Sequence, residues 1–332
     1  MCCLYGFIDY GHKLTRKQRL RLLSTLSTAC EVRGTDATGI AYNLDRKQVI
    51  YKRPLPAHLM WYRVPRSPSI VMGHTRMATQ GSELVNINNH PFPGMAGQTH
   101  FSLAHNGVLT NDKTLRKKHK LPATKVETDS YIAVQLLRQQ NQIDFDSLRF
   151  MAEELEGSFT ITVLTDRDEL YFVKGNNPLT IYHFPQSALY AYASTEDILR
   201  KGLKNSHLNL GEAEPVRVYS GEILRIDGQG KISRSEFSDE KLYFSRHPHW
   251  FDWQQYQEPR RPYHFEDDFE DSYIADLKAV AACCGVYPED IDALLAAGVS
   301  LEEIEEYLYC GEEGVYDSFG SITRQSAGTD GA

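Results

Sequence analysis

A chain of 332 residues, 41% hydrophobic and with a formal net charge of -8, is long enough to bury one large core, or two modest ones, without covalent staples. Its six cysteines, Cys2, Cys3, Cys30, Cys283, Cys284 and Cys310, include two adjacent pairs and no CxxC spacing, which argues against a disulfide framework or a zinc ribbon and for a reducing, cytoplasmic setting. The opening MCCLYGFIDYGHK lacks a basic region followed by a long apolar run, and no stretch approaches the roughly 18 apolar residues of a membrane span, so no membrane contact is expected.

The charge is unevenly placed. From Glu266 onward 17 acids face two bases, Lys278 and Arg324, a charge of -15, which leaves +7 on the rest. The bases of that body are scattered and form no stripe along one helix, so nucleic acid is not expected as a partner.

In chain order, the apolar run Cys3 to Ile8 predicts a short buried strand. Thr15 to Glu31 follows a helical pattern, with Leu20, Leu22, Leu23, Leu26 and Cys30 near one face and Thr15 as N-cap. Runs at Gly39 to Asn43 and Gln48 to Lys52 suggest a hairpin. Further strands are expected at Ser69 to Thr75, His100 to Asn106, Ser158 to Thr165, Glu169 to Val173, Leu179 to His183, Leu189 to Ala193, Val216 to Tyr219 and Gly221 to Ile226. Helices are expected at Thr128 to Gln140, Phe145 to Leu155 and Thr195 to Lys204. Short turns, not crossover helices, separate most strand pairs, so the class is α+β with antiparallel sheets and grouped helices.

From about Lys241 the composition turns aromatic, histidine- and proline-rich, and the organisation expected is a body over 1–240, a linker or arm over 241–270, a small acidic helical module over 271–311 and a disordered tail over 312–332. In the module three helices are expected, Asp271 to Cys283, Pro288 to Ala296 and Ser300 to Tyr309, the second opened by proline and the third by a capping box.

Cys2 directly follows the initiator Met, and a small second residue permits removal of that Met. Thiol and free α-amine would then share one residue, with reference pKa values of about 8.5 and about 7.7 to 8, so the amine could take the thiol proton without a catalytic histidine. Alone, Cys2 reads better as a small buried residue opening a strand.

Five further segments change that balance: Arg33-Gly34-Thr35-Asp36-Ala37-Thr38-Gly39-Ile40, Gly73-His74-Thr75-Arg76-Met77-Ala78-Thr79-Gln80-Gly81, Asn89-His90-Pro91-Phe92, Ala104-His105-Asn106-Gly107 and Glu127-Thr128-Asp129-Ser130. In this order and at these intervals they resemble the class II glutamine amidotransferases, the N-terminal-nucleophile (Ntn) hydrolases, over roughly residues 2 to 230. The sequence is similar to the glutaminase domains of glucosamine-6-phosphate synthase and of the purine-pathway phosphoribosyl amidotransferase. The resemblance implies a four-layer αββα sandwich of two antiparallel sheets, here with a small C-terminal helical appendage.

It also implies roles. Cys2 is the nucleophile, and Asn106 and Gly107 form the oxyanion hole. Arg76 takes the α-carboxylate of glutamine and Asp129 its α-ammonium. Thr79, Gln80 and Gly81 form the loop over bound glutamine, while Asp36 and Gly39 shape the pocket near the nucleophile. His74, His90 and His105 are assigned to structure, and Cys3, which stands where many relatives have glycine, to packing. No cofactor and no metal are implied. The expected activity is hydrolysis of L-glutamine to glutamate and ammonia; with no synthase motif after residue 240, either the ammonia goes in trans to a separate acceptor enzyme, for which the acidic module is a candidate docking site or else a solvated appendage, or the protein is a free-standing glutaminase. The alternative is a catalytically silent binding or regulatory protein on the same fold.

Overall fold

A computed structural model describes residues 2–242, 274, 278, 287–299 and 304. The chain divides into two compact units, Met1–Pro248 and His249–Ala332.

The first unit begins with β1 (Cys3–Asp9), whose seven residues are all buried. Cys3, Tyr5 and Phe7 pack into one core cluster and Leu4 and Ile8 into another. A strand covered on both faces has no polar face to show, which is why its alternation is weak in the sequence. Helix α1 (Arg16–Ala29) follows, with Thr15 and Gln18 forming a reciprocal capping box. Next come the hairpin β2 (Ala37–Leu44) and β3 (Lys47–Arg53), then β4 (Ile70–Arg76), β5 (Phe92–Ala96), β6 (Thr99–Leu109), α2 (Asp112–Lys118), α3 (Tyr131–Gln140) and α4 (Phe145–Glu154). The unit continues through β7 (Gly157–Thr165), β8 (Glu169–Lys174), β9 (Thr180–Phe184), β10 (Leu189–Ala193), α5 (Glu196–Ser206), β11 (Glu214–Pro215), β12 (Glu222–Asp227) and β13 (Ile232–Glu236).

The strands form a seven-stranded sheet, β11-β9-β10-β1-β4-β2-β3, and a six-stranded sheet, β13-β12-β8-β7-β6-β5. Their paired strands run antiparallel. Between the sheets lie Leu4, Ile8, Met72, Leu164, Phe172 and Leu224. On the far side of the first sheet Phe7 and Val71 pack with Leu22, Leu26, Ile198 and Leu199 of α1 and α5. On the far side of the second, Phe101 and Ile161 pack with Leu136, Leu137, Leu148 and Met151 of α3 and α4. Helix, sheet, sheet and helix thus form the αββα sandwich that the resemblance implied.

Several boundaries depart from expectation. The strand expected at Val216 to Tyr219 is displaced: only Glu214–Pro215 pair with β9. One further bond, Val216 N–H to the Ile181 carbonyl at 2.8 Å, follows before Tyr219 and Glu222 close a turn. Helix α3 starts at Tyr131, not Thr128, so Asp129 sits in the turn that precedes it. Strand β5 was not expected because Pro93 and Gly94 interrupt its pattern; it is the edge strand of its sheet, where a missing N–H is tolerated. The short α2 and the polar edge strand β13 were also not expected.

In the second unit, α6 (Pro288–Ala296) has Pro at its start and buries Ile291 and Leu294. The rest of the expected acidic module, arm and tail lies outside the described residues, apart from the helical positions Ile274, Lys278 and Ile304. Among the described residues no helix is long and apolar enough to cross a membrane.

Candidate active site

The ends of β1 and β4 come together because the two strands pair directly, Cys3 opposite Thr75. This places Cys2, just before β1, beside Arg76 and Met77 at the end of β4. A narrow cleft there is lined by Cys2, Arg76, Met77, Thr79, Gln80, His90, His105, Gly107, Thr128, Asp129 and Ser130. It has room for little more than a water molecule. A wider groove of about 460 Å³, lined by Tyr42, Tyr51, Trp61 and Arg63 among others, lies apart from these residues and offers neither a nucleophile nor a carboxylate.

Cys2 is partly buried, and its Sγ lies 3.6 Å from the Met77 carbonyl. Its own carbonyl accepts from Arg33 Nε at 3.2 Å, which fixes the backbone that carries the thiol. Burial pushes the thiol up from its ordinary value, against the lowering influence of the Met77 backbone and the nearby Arg76 and Arg33. Near neutral pH it is therefore a thiol that needs a base.

Arg76 is almost fully buried. Its guanidinium donates to Asn89 Oδ1 at 2.7 Å and to the carbonyls of Gln80 at 2.6 Å and Gly81 at 2.7 Å. Burial lowers its pKa, while Cys2, Asp36, Glu83 and Asp129 act in the opposite sense, which places those groups within its electrostatic reach. Asp36 accepts from the Ala78 N–H at 2.6 Å and so ties β2 to the loop after β4. Gly39 is required for close approach: a Cβ there would sit 2.1 Å from the His90 carbonyl.

Asp129 is buried, and its Oδ2 accepts from the Leu109 N–H at 2.6 Å. Ser130 Oγ lies 3.3 Å from Asp129 Oδ1 and 2.8 Å from His105 Nδ1. Asn106 does not line the cleft directly but precedes Gly107, which does. Its amide donates to Ser194 Oγ at 3.3 Å, and its carbonyl accepts from Asn177 Nδ2 at 2.7 Å. Gly107 has φ +145, and a Cβ there would meet the Ser158 carbonyl at 2.0 Å. No other residue fits this position without strain.

Three histidines cluster at the cleft: His90 and His105 line it, and His74 packs beside His90. His74 Nε2 donates to the His105 carbonyl at 3.0 Å, and burial pushes its pKa down to about 3. His90 lies between His74 and Phe92, with tilted rings whose centroids are 4.2 and 4.3 Å away, and among the described residues neither of its nitrogens has a hydrogen-bond partner. Burial carries His90 well below the ordinary histidine value and also lowers His105. All three are neutral near pH 7.

Four supporting residues carry no expected role. Asn89 holds Arg76, and the Asn89-His90-Pro91-Phe92 segment that carries it implies no role for it. Ser194 bridges Asn106 and the Leu4 N–H, and Asn177 holds the Asn106 backbone. Lys52 donates to the Asn89 carbonyl and, at 3.1 Å, to the Pro91 carbonyl; burial first, then Arg76, lowers it to about 8. Among the described residues no group of three or more His, Cys, Asp or Glu side chains could hold a metal ion.

No family model matches the chain. It is 31% identical over 189 residues, 54% of its length, to the glutamine--fructose-6-phosphate aminotransferase [isomerizing] of Bacillus anthracis, and 30% identical over 190 residues to that of Staphylococcus epidermidis. The match spans only 30% of either relative. Among solved structures, glutamine phosphoribosylpyrophosphate (PRPP) amidotransferase from B. subtilis, complexed with ADP and GMP, superposes with a TM-score of 0.56 at 20% identity, covering 71% of this chain and 49% of that one. A second, described as the allosteric regulatory enzyme of purine biosynthesis, gives 0.57 at 19% identity over the same shares. Over about half its length the chain is thus similar in sequence to glutamine--fructose-6-phosphate aminotransferases, of which it spans under a third, and it shares the fold of these two solved structures.

Proposed function

We propose that the chain hydrolyses the side-chain amide of L-glutamine to glutamate and ammonia through a thioester on Cys2. The observation that carries this reading is a buried cation and a buried anion, Arg76 and Asp129, on the walls of one narrow cleft that also holds the Cys2 thiol. Opposite charges so placed suit the α-carboxylate and α-ammonium of an amino acid, and the thiol stands where its side chain would reach.

Glutamine's carboxylate would take the place of the Gln80 and Gly81 carbonyls on Arg76, and the loop through Thr79 would close over the substrate. With Met1 removed, the α-amine of Cys2 accepts the thiol proton as Sγ attacks the amide carbon. The oxyanion is met by the Asn106 amide and the Gly107 N–H. Collapse expels ammonia, which takes the proton held by the amine. Water activated by the same amine then hydrolyses the thioester, releasing glutamate. The three histidines at the cleft are neutral and pushed toward low pKa by burial, which supports an α-amine base over an imidazole one. Ammonia then passes to an acceptor protein that docks on the acidic C-terminal module, a role suited to a segment with a charge of -15.

The test is ammonia release from glutamine, with hydroxylamine added in a parallel reaction to trap the thioester as γ-glutamyl hydroxamate. Both products are expected from glutamine and not from asparagine. No ammonia from protein whose first residue is verified as Cys2 would favour the silent, binding form of the fold.

A further inference from the structure

Cys3 and Cys30 are fully buried free thiols with their Sγ atoms 3.0 Å apart. That is closer than two sulfurs rest without bonding, and about 1 Å beyond the ~2.05 Å of a disulfide. Neither takes part in the proposed chemistry, yet both are fastened to the residue that does. Cys3 opens β1 directly after Cys2. Cys30 opens the 3-10 turn Cys30–Arg33, from which Arg33 Nε donates to the Cys2 carbonyl at 3.2 Å. The Cys30 carbonyl accepts from Thr75 Oγ1 at 3.2 Å, and Thr75 precedes Arg76 on β4.

We propose that Cys3 and Cys30 are a modification site that hydrogen peroxide closes into a reversible disulfide, and that the crosslink slows turnover by shifting the turn that holds Cys2. Burial pushes the Cys30 thiol well up; Cys3, against the same burial, is held below the ordinary thiol value by the Cys30 hydrogen bond and the Arg33 charge. Cys3 is thus the member of the pair that ionises more readily, and it reacts once its proton has been given up. The Cys3 thiolate attacks one peroxide oxygen: the S–O bond forms, the O–O bond breaks, and hydroxide leaves to be protonated as water. The Cys30 sulfur then attacks Cys3 Sγ, the S–S bond forms, and the S–O bond breaks. The departing hydroxide takes the Cys30 proton, so two thiols are oxidised and one peroxide is reduced to two waters. Peroxide is small and uncharged, and the turn that covers Cys30 is a single 3-10 turn with Val32 44% exposed, an element whose weaker hydrogen bonds open readily.

Closing about 1 Å between the sulfurs must move the turn, β1, or both. A displacement of that size at a nucleophile costs on the order of a hundredfold in rate. The activity half of the inference rests on the proposed glutaminase reading; the crosslink itself does not.

The test treats the reduced full-length Cys2→Ala variant with hydrogen peroxide, alkylates the remaining thiols with iodoacetamide, and maps tryptic peptides by mass spectrometry without reduction. The Cys2→Ala change removes the only other thiol from the N-terminal peptide. The expected result is peptide 22–33 joined to that N-terminal peptide and freed by dithiothreitol; alkylated Cys3 and Cys30 under peroxide would overturn the site. In parallel, the wild-type chain should lose roughly ten- to a hundredfold more dithiothreitol-recoverable glutaminase activity than Cys30→Ala, whose loss measures oxidation of Cys2 alone. Cys3→Ala serves as control if Cys30→Ala does not fold. Equal losses in the wild type and in either variant would overturn the activity half. A crosslink in a chain with no glutaminase activity would confirm the site and sink the functional reading.

Discussion

At Arg76 and Asp129 the cost of burying charge is offset in two different ways. Arg76 is satisfied by the carbonyls of a loop that can be exchanged for a ligand, whereas Asp129 is held by the Leu109 N–H at 2.6 Å, a backbone group that stays in place. In the proposed function each residue makes a charge-assisted hydrogen bond to glutamine, worth about 1.5 to 3 kcal/mol, so Arg76→Ala and Asp129→Asn should each raise the KM for glutamine roughly ten- to a hundredfold. Steady-state kinetics check this, and an unchanged KM removes the residue from the pocket. The buried histidines make a second prediction. His74 has a folded pKa near 3 against about 6.5 when unfolded, so below pH 6.5 the unfolded chain takes up a proton that the folded one does not. Stability contributed by the neutral histidine is therefore full above about 6.5 and is lost as pH falls toward 3, by up to about 1.4 kcal/mol per pH unit. Urea midpoints measured from pH 7 to 4.5 should fall less steeply in His74→Gln than in the wild type, and parallel curves would exclude the effect.

Between elements, the buried ion pair of Arg19 on α1 and Asp9 at the end of β1 sets the register of helix on sheet. The two are 2.8 Å apart and essentially unexposed; the guanidinium also bonds the Pro68 carbonyl and lies over the Phe7 ring. Removing one partner leaves a buried charge alone, so Asp9→Ala should cost about 3 to 5 kcal/mol of folding free energy, readable as a lower urea midpoint, while a loss below about 1 kcal/mol would show the pair to be dispensable. The sequence made the helices and strands visible where one face meets solvent, as in α1 with its Thr15 cap. It hid them where periodicity fails: β5 carries Pro93 and Gly94 at a sheet edge, and β13 is polar, whereas β1, covered on both faces, still showed as an apolar run. The site was legible where motifs are contiguous, at Arg76 to Gly81 and at Asn106-Gly107. Its supports were not, because Asn177 and Ser194 reach Asn106 from 71 and 88 residues away, and no local spacing records such pairings.

At the scale of the whole molecule, every residue given a role in glutamine chemistry or glutamine binding precedes Ser130. Leu242 is buried in the core of the first unit, and Lys241 Nζ bonds the Glu153 carbonyl at 2.6 Å, so a truncated chain should end after Leu242 and not before it. Such a chain is expected to fold and to keep glutamine hydrolysis within about twofold while losing transfer to any acceptor that docks on the acidic module; a folded, inactive truncation would place part of the site in the C-terminal segment. The most direct measurement concerns the other end of the chain. Glutaminase activity should be compared between protein shown by mass spectrometry to begin at Cys2 and protein shown to retain Met1. If the α-amine of Cys2 is the base, the first preparation releases ammonia and the second, with the same thiol and fold, falls to the level of Cys2→Ala. Full activity with Met1 in place would contradict the N-terminal mechanism and return the role of base to another group.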